Sequence, residues 1–288
     1  MRHAYCILAH NEPIVLKKLV SLVDDVRNDI FIHIDKKSNI KLFNDITTKY
    51  SQLVFTDRQS VEWGGLSQVK CELLLLKTAS EYGAYSYYHI LSGTDLPIKT
   101  QDYIHHFCDE EHGGREFVGI SNKESNLRIL DKHTRYYYLF NESSRSKNKW
   151  RRILAVICRN IVLQIQTIIH FKRHFNIEMK KWHQWNSITD EFCRYILSQS
   201  DYILKTFKYI CIPDEIFLQS MLWNSKYKEH AYCDEHGEMN SLRAIDWQRG
   251  GPYVWTHNDV EELRCSKALF ARKFSSQDYE FIDDIIGR

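Results

Sequence analysis

No Cys-x-x-Cys pair occurs in these 288 residues, although eight cysteines are scattered along them. That spacing disfavours zinc-finger and thioredoxin-type chemistry. Several of the cysteines, such as Cys6, sit in apolar runs and read as small buried hydrophobes. A reducing compartment is the simplest setting. Glycine and proline are scarce, 11 and 4 residues, which argues against long disordered linkers. There is no G-x-G-x-x-G and no Walker loop, so dinucleotide and P-loop sites are disfavoured. No apolar run reaches membrane-spanning length. The opening run 4–9, cut short by His10-Asn11-Glu12, is too brief for a signal peptide. The expected location is therefore cytoplasmic. Asp-x-Asp, a common device for holding a divalent metal on a diphosphate, is also missing.

What is present is an ordinary globular composition, 43% hydrophobic and 26% charged, long enough for a substantial core. The 17 Tyr, 14 Phe and 7 Trp suit sugar or base stacking, although most aromatics simply fill cores. The net charge of +2 hides an asymmetry. Residues 145–181 carry ten Lys/Arg against the single acid Glu178, a local +9 that leaves −7 for the rest. One basic element on an acidic body points to a partner surface, not to nucleic-acid binding.

The first 120 residues alternate strand and helix patterns, as in a parallel sheet flanked by helices. Strands are expected at 3–9, 30–34, 53–55, 87–91 and 116–119, and helices at 13–26, 66–82 and 101–107. Ligands of such sheets bind beyond the carboxyl ends of the strands, where His10, Asp35, Arg58 and residues 92–95 fall. Residues 121–150 read as a long loop or lid. Residues 150–171 form an amphipathic helix with Trp150, Ile153, Leu154, Ile157, Ile161, Ile165 and Ile168 on one stripe. It either covers the core or lies on an anionic bilayer. Helices at 188–207, after Pro213 and at 277–286, and strands near 243–247 and 269–273, complete the chain.

Pro213-Asp214-Glu215 is a favourable helix start that also keeps a carboxylate ionised. Arg243 and Lys273 are cations able to stabilise a leaving diphosphate by charge-assisted hydrogen bonds without a metal. Each of the three has an alternative reading, as a helix-start acid or as an ordinary surface charge.

Eight segments in order then fit one pattern: residues 4–11 (AYCILAHN), 31–37 (FIHIDKK), 61–67 (VEWGGLS), 89–100 (HILSGTDLPIKT), 185–189 (WNSIT), 212–217 (IPDEIF), 242–247 (LRAIDW) and 269–274 (LFARKF). In these the chain resembles the core-2/I-branching β-1,6-N-acetylglucosaminyltransferase and peptide O-xylosyltransferase family, in its compact bacterial form. The resemblance implies an α/β, GT-A-like single domain over 1–288, with a mostly parallel central sheet and an inserted basic amphipathic segment. Residues 1–120 would be the nucleotide-sugar-binding half, 121–181 the variable loop and basic helix, and 182–288 the acceptor and catalytic half. It implies inverting transfer of a sugar (GlcNAc, or xylose or another hexose) from a UDP-sugar to a glycan hydroxyl, with no metal and no other cofactor.

The family's motifs assign Glu215 as the base and Arg243 and Lys273 to the diphosphate. His10, Asp35, Arg58, Trp63, Ser92, Gly93, Thr94 and Asp95 fall to the nucleotide sugar, and Trp185 to the acceptor. The acceptor would be an oligosaccharide or lipid-linked glycan of a bacterial surface polysaccharide, with residues 145–181 in peripheral contact with the anionic inner face of the cell membrane. The competing expectation is a catalytically inactive nucleotide-sugar- or carbohydrate-binding protein.

Overall fold

The structure is a computed structural model that describes residues 1–145 and 148–287. Five strands, β1 (His3–Ala9), β2 (Asn28–Ile34), β3 (Gln52–Phe55), β4 (Tyr87–Ser92) and β6 (Ser187–Thr189), form the central sheet in the order β3-β2-β1-β4-β6. All pairings are parallel except β4 with β6. A second sheet has the order β5-β8-β7, from β5 (Asp95–Pro97), β7 (Arg243–Ile245) and β8 (Phe270–Arg272).

β1 shows why the central sheet is a middle layer. Its alternate side chains belong to different cores: Tyr5, Ile7 and Ala9 pack with helix Pro13–Val23 and the small sheet, whereas Ala4 and Cys6 pack with helix Leu66–Tyr82. A strand buried on both faces reads as a continuous apolar run. That is how 3–9 looks in the sequence. The expected 3–9 strand and 66–82 helix match the structure to the residue.

Other expectations are corrected. Residues 116–119 make only isolated bridges, Glu116 with Ala231 and Phe117 with Ser187, so no strand forms there. Helix 101–107 stops at His105 and continues as a π-helical turn, His106–Glu111. The single helix 188–207 is instead β6 followed by helices Asp190–Ser198 and Ser200–Phe207. Ile188 is buried between β4 and the second core, and Thr189 caps the next helix by accepting from Phe192 N. A three-residue stretch is too short for periodicity to tell strand from helix. The region read as a lid contains helix Glu124–Arg135, and the closing helix is only Ile282–Ile286.

Helix Lys149–Ile168 does not cover the core. Only Ala155 and Gln166 of it are buried, while Trp150, Leu154 and Ile168 are 79%, 64% and 74% exposed. Ile157, Ile161 and Ile165 are at least half exposed as well. The helix is fastened by Gln166, which accepts from Tyr137 N and donates to Tyr137 O, and by Arg159, which donates to Ser144 Oγ. Among the described residues no helix is long and apolar enough to cross a membrane. None of the eight cysteines is paired with another.

Candidate active site

The carboxyl ends of β1, β2 and β4 open into a cavity of about 690 Å³. Ala9, His10, Asp35 and Ser92 come from those strand ends, Trp63 from the loop before helix Leu66–Tyr82, and Arg145, Trp185, Glu215 and Arg272 close the other side. A second cavity, of about 810 Å³, is lined by Lys181, Trp182, Arg243, Trp247 and Trp255. His183, Trp247 and Glu215 line both. The Glu215 carboxylate therefore stands where the two spaces meet.

Local backbone geometry puts it there. Ile212 has φ of +54°, reversing the chain before a 3-10 turn, Pro213–Glu215. Ile212 N donates to Gly64 O, and Gly64, itself at φ +67°, lies so close that a Cβ on it would sit 3.1 Å from Ile212 Cγ1. Only glycine takes that conformation and that approach without strain. The turn points its two acids in opposite directions: Asp214 is 1% exposed, and Glu215 faces the cavities and pairs with Lys181 Nζ at 2.5 Å. Trp182 N donates to Glu215 O, so the main chain of this turn is held as well.

Burial then separates the acids electrically. Desolvation, and next the charge of Glu215, push the Asp214 carboxyl up to about 8. Glu72, from helix Leu66–Tyr82, is also fully buried; burial and then Asp214 raise it well above the usual carboxylate range. Both Glu72 oxygens and Asp214 Oδ1 lack hydrogen-bond partners among the described residues. Two carboxyls so placed are held protonated, because an unpaired buried charge is far costlier than a buried acid. Glu215 keeps an ion-pair partner that they lack.

The expected nucleotide-side residues divide into those that line the cavity and those that hold its wall. His10, Asp35, Trp63 and Ser92 line it. Burial lowers the His10 imidazole, with Asp35 opposing, so it is neutral at pH 7. Asp35 accepts from Lys37 N at 2.7 Å, and the Arg145 guanidinium lies 4.3 Å over the Trp63 ring.

Arg58, Gly93, Thr94 and Asp95 stand behind the lining. Arg58 donates to the carbonyls of Ile34, Asp35 and Ser38, wrapping the end of β2. Gly93 lies where a Cβ would meet Ala9 Cβ at 3.0 Å. Asp95 accepts from Ser92 N and from Arg272 Nη1, and Thr94 Oγ1 also accepts from Arg272. Arg272 stacks 4.6 Å over Trp185, which places Trp185 on the first cavity.

Arg243 is partly buried on the second cavity's wall. Its guanidinium donates to Ser241 O, Asn186 O and Ser187 Oγ, and lies 4.5 Å over Phe270. Burial pushes it down to about 10, leaving it charged at pH 7. Lys273 lines neither cavity, but its charge reaches His10 and helps depress that imidazole.

Sequence reasoning missed Lys181 and Arg272. Lys181 was one charge in a basic run, and Arg272 sat beside a residue already assigned. Among the described residues, one cluster of side chains is close enough to share a metal ion: His3, His105 and Asp109, within 4.8 Å. It lies at the start of β1, not at the cleft.

The buried acids generate a pH signature. Asp214 binds its proton up to about pH 8 in the folded chain but only to about pH 4 when unfolded. The folded state thus holds more protons between those values, and stability falls as pH rises through that window. Asp214→Asn removes this dependence. The gap in melting temperature, variant minus parent, is expected to grow from pH 4 to pH 8. Parallel melting curves would overturn the assignment of a protonated Asp214.

The sequence profile of the core-2/I-branching enzymes matches residues 3–272. Similar proteins include xylosyltransferase 2 of the dog, Canis lupus familiaris, 24% identical over 259 residues, covering 86% of this chain and 27% of the relative. The mouse protein of the same name is 25% identical over 260 residues, covering 86% and 27%. Xylosyltransferase sqv-6 of Caenorhabditis briggsae is 24% identical over 283 residues, covering 88% and 32%. The chain thus spans about a third or less of the length of these relatives. With a profile match over nearly all of its length, the chain belongs to the core-2/I-branching enzyme family.

Proposed function

We propose that the chain is an inverting glycosyltransferase that uses a UDP-sugar and needs no metal. The observation that carries this is the Glu215 carboxylate at the junction of two cavities, with cations on both sides. Family membership and xylosyltransferase relatives support sugar transfer, with GlcNAc or xylose as the donor sugar. UDP would occupy the first cavity between His10, Asp35, Trp63 and Ser92. A glycan acceptor would enter through the second, along Trp182 and Trp247, whose faces suit sugar rings.

Glu215 takes the proton of an acceptor hydroxyl, and the oxygen attacks the anomeric carbon. The bond from that carbon to the diphosphate oxygen breaks in the same displacement, converting an α-linked donor into a β-linked product. The electron pair leaves on UDP, whose charge is met by Arg243 and Lys273, with Arg272 on the lining of the nucleotide cavity. Preorganised cations of this kind supply what a metal supplies elsewhere. Lys181 holds Glu215 in place before the proton arrives.

Glu215→Gln keeps the shape and removes the base. Turnover with UDP-GlcNAc or UDP-xylose is expected to fall by about 10²–10⁴, with UDP affinity within about twofold. Wild-type-like turnover in the variant would overturn the assignment and favour a helix-start role for Glu215. Turnover is also expected to be unchanged in excess chelator. Strict dependence on Mn²⁺ would overturn the roles of Arg243 and Lys273.

The exposed stripe of helix Lys149–Ile168 suits the surface of an anionic membrane, where apolar side chains enter the headgroup boundary and Lys149, Arg151 and Arg152 meet lipid phosphates. It would hold the enzyme at the inner face of a bacterial cell membrane, near a lipid-linked acceptor for surface polysaccharide. At low salt the protein is expected to pellet with vesicles containing phosphatidylglycerol but not with pure phosphatidylcholine. Leu154→Glu with Ile161→Glu should abolish pelleting without changing the melting temperature. Equal pelleting of parent and variant would sink the docking role.

A further inference from the structure

A line of buried polar side chains runs between the two sheets and ends on Arg243. Its Nη2 donates to Ser187 Oγ at 2.9 Å. Ser187 Oγ lies 2.7 Å from His89 Nδ1, His89 Nε2 lies 3.0 Å from His3 Nδ1, and His3 Nε2 lies 3.2 Å from Asp109 Oδ1. The line crosses β6, β4 and β1 and finishes in the π-helical turn His106–Glu111. Ser187, His89 and His3 are wholly buried, with Tyr5, Tyr87 and Phe270 packed against the imidazoles.

Donor counting gives the line one direction. Arginine can only donate and the Asp109 carboxylate can only accept, so with neutral imidazoles Ser187 Oγ accepts from Arg243 and gives its hydroxyl proton to His89 Nδ1. His89 then carries its proton on Nε2 and donates to His3 Nδ1. His3 in turn carries its proton on Nε2 and donates to the Asp109 carboxylate. The serine hydroxyl and both imidazoles are satisfied, and both imidazoles are neutral, as their burial requires. Asp109 ends the line as an anion. Burial would raise its carboxyl, but hydrogen bonds from His105, His3 and Ser86 outweigh that and hold it well below the usual range.

The far end is itself clamped. Ser86 Oγ donates to Asp109 Oδ1 at 2.7 Å, and His105 Nδ1 lies 3.3 Å from Oδ2. The other His105 nitrogen faces Asn28 Oδ1 at 2.9 Å, and Asn28 Nδ2 donates to Val23 O and Gln101 Oε1. Neither end of the line can slide without breaking several bonds.

We propose that Ser187, His89, His3 and Asp109 are positioning residues that fix the guanidinium of Arg243 for the leaving diphosphate; this rests on the role of Arg243 given under Proposed function. The main-chain acceptors Ser241 O and Asn186 O hold the guanidinium from two sides, and the hydroxyl of Ser187 supplies the remaining contact. Each side chain along the line sets the hydrogen-bond polarity of the next. A buried network in which each group depends on its neighbour is rigid, and losing one link disturbs the others. Without the line, Arg243 loses its Ser187 contact and is held only by the two carbonyls and the Phe270 face, a looser aim for the cation.

The test is UDP affinity by calorimetry on the full chain, for Ser187→Ala, Asp109→Asn and Arg243→Ala, singly and combined. Arg243→Ala is expected to weaken UDP by about 10- to 100-fold, as for a hydrogen bond to a charged group. Ser187→Ala and Asp109→Asn should each weaken it by about three- to tenfold, as for a neutral hydrogen bond. Neither should cause any further loss once Arg243 is alanine. Losses that multiply in the combined variants would mark a merely structural role and overturn the proposal. So would unchanged affinity in Ser187→Ala and Asp109→Asn while Arg243→Ala is weakened. Unchanged affinity in Arg243→Ala would instead overturn the role of Arg243 itself, and the positioning line with it. Asp109 lies at the end of the sheet and Ser187→Ala removes one atom, so at least one variant is expected to fold.

Discussion

The ion pair between buried Asp95 and partly buried Arg272 is the joint on which the cleft depends. Asp95, 1% exposed, accepts from Ser92 N on one oxygen and from Arg272 Nη1 at 2.7 Å on the other. Through these bonds the end of β4 is tied to β8, and β8 pairs with β7, which carries Arg243. Desolvation raises the Asp95 carboxyl and the Arg272 charge opposes it. Removing Arg272 costs up to about 3–5 kcal/mol, since the Asp95 charge is left buried and alone. The motif residues 92–95, expected to touch the nucleotide, are mainly the bracket for this joint.

The same logic of burial and pairing sorts the other ionisable groups. Asp214 and Glu72 are buried without cationic partners and are neutral, while Glu215, one residue along, has Lys181. His10, His183 and His89 are desolvated and neutral. The cleft therefore carries its positive charge on Lys and Arg alone. A cation that cannot lose its proton near neutral pH is the suitable partner for a departing diphosphate.

The amphipathic segment shows a limit of pattern reading. Its stripe of Ile and Leu at helical spacing is the pattern of a core-facing helix, and periodicity carries no sign of what lies opposite. Whether a stripe is covered depends on the rest of the chain folding over it. Here the helix is fastened by Gln166 and Arg159 on its polar side, which turns the apolar stripe outward.

By itself the sequence determined the layers. Alternating strand and helix periods, strand ends rich in polar residues, and eight ordered motifs were enough for a mostly parallel sheet and for its family, because those signals are local. The short segments were not legible: β6 and the bridges at 116–117 exist only because partner strands lie beside them. Nor were the pairings within the site. Lys181 meets Glu215 across 34 residues and Arg272 meets Asp95 across 177, so no spacing announces them. In Pro213-Asp214-Glu215 only the family resemblance chose Glu215 over its neighbour, and nothing in the motif gave the physical reason. Only the tertiary structure buried Asp214 near Glu72 and left Glu215 facing two cavities, because desolvation is a property of the surroundings and not of the motif.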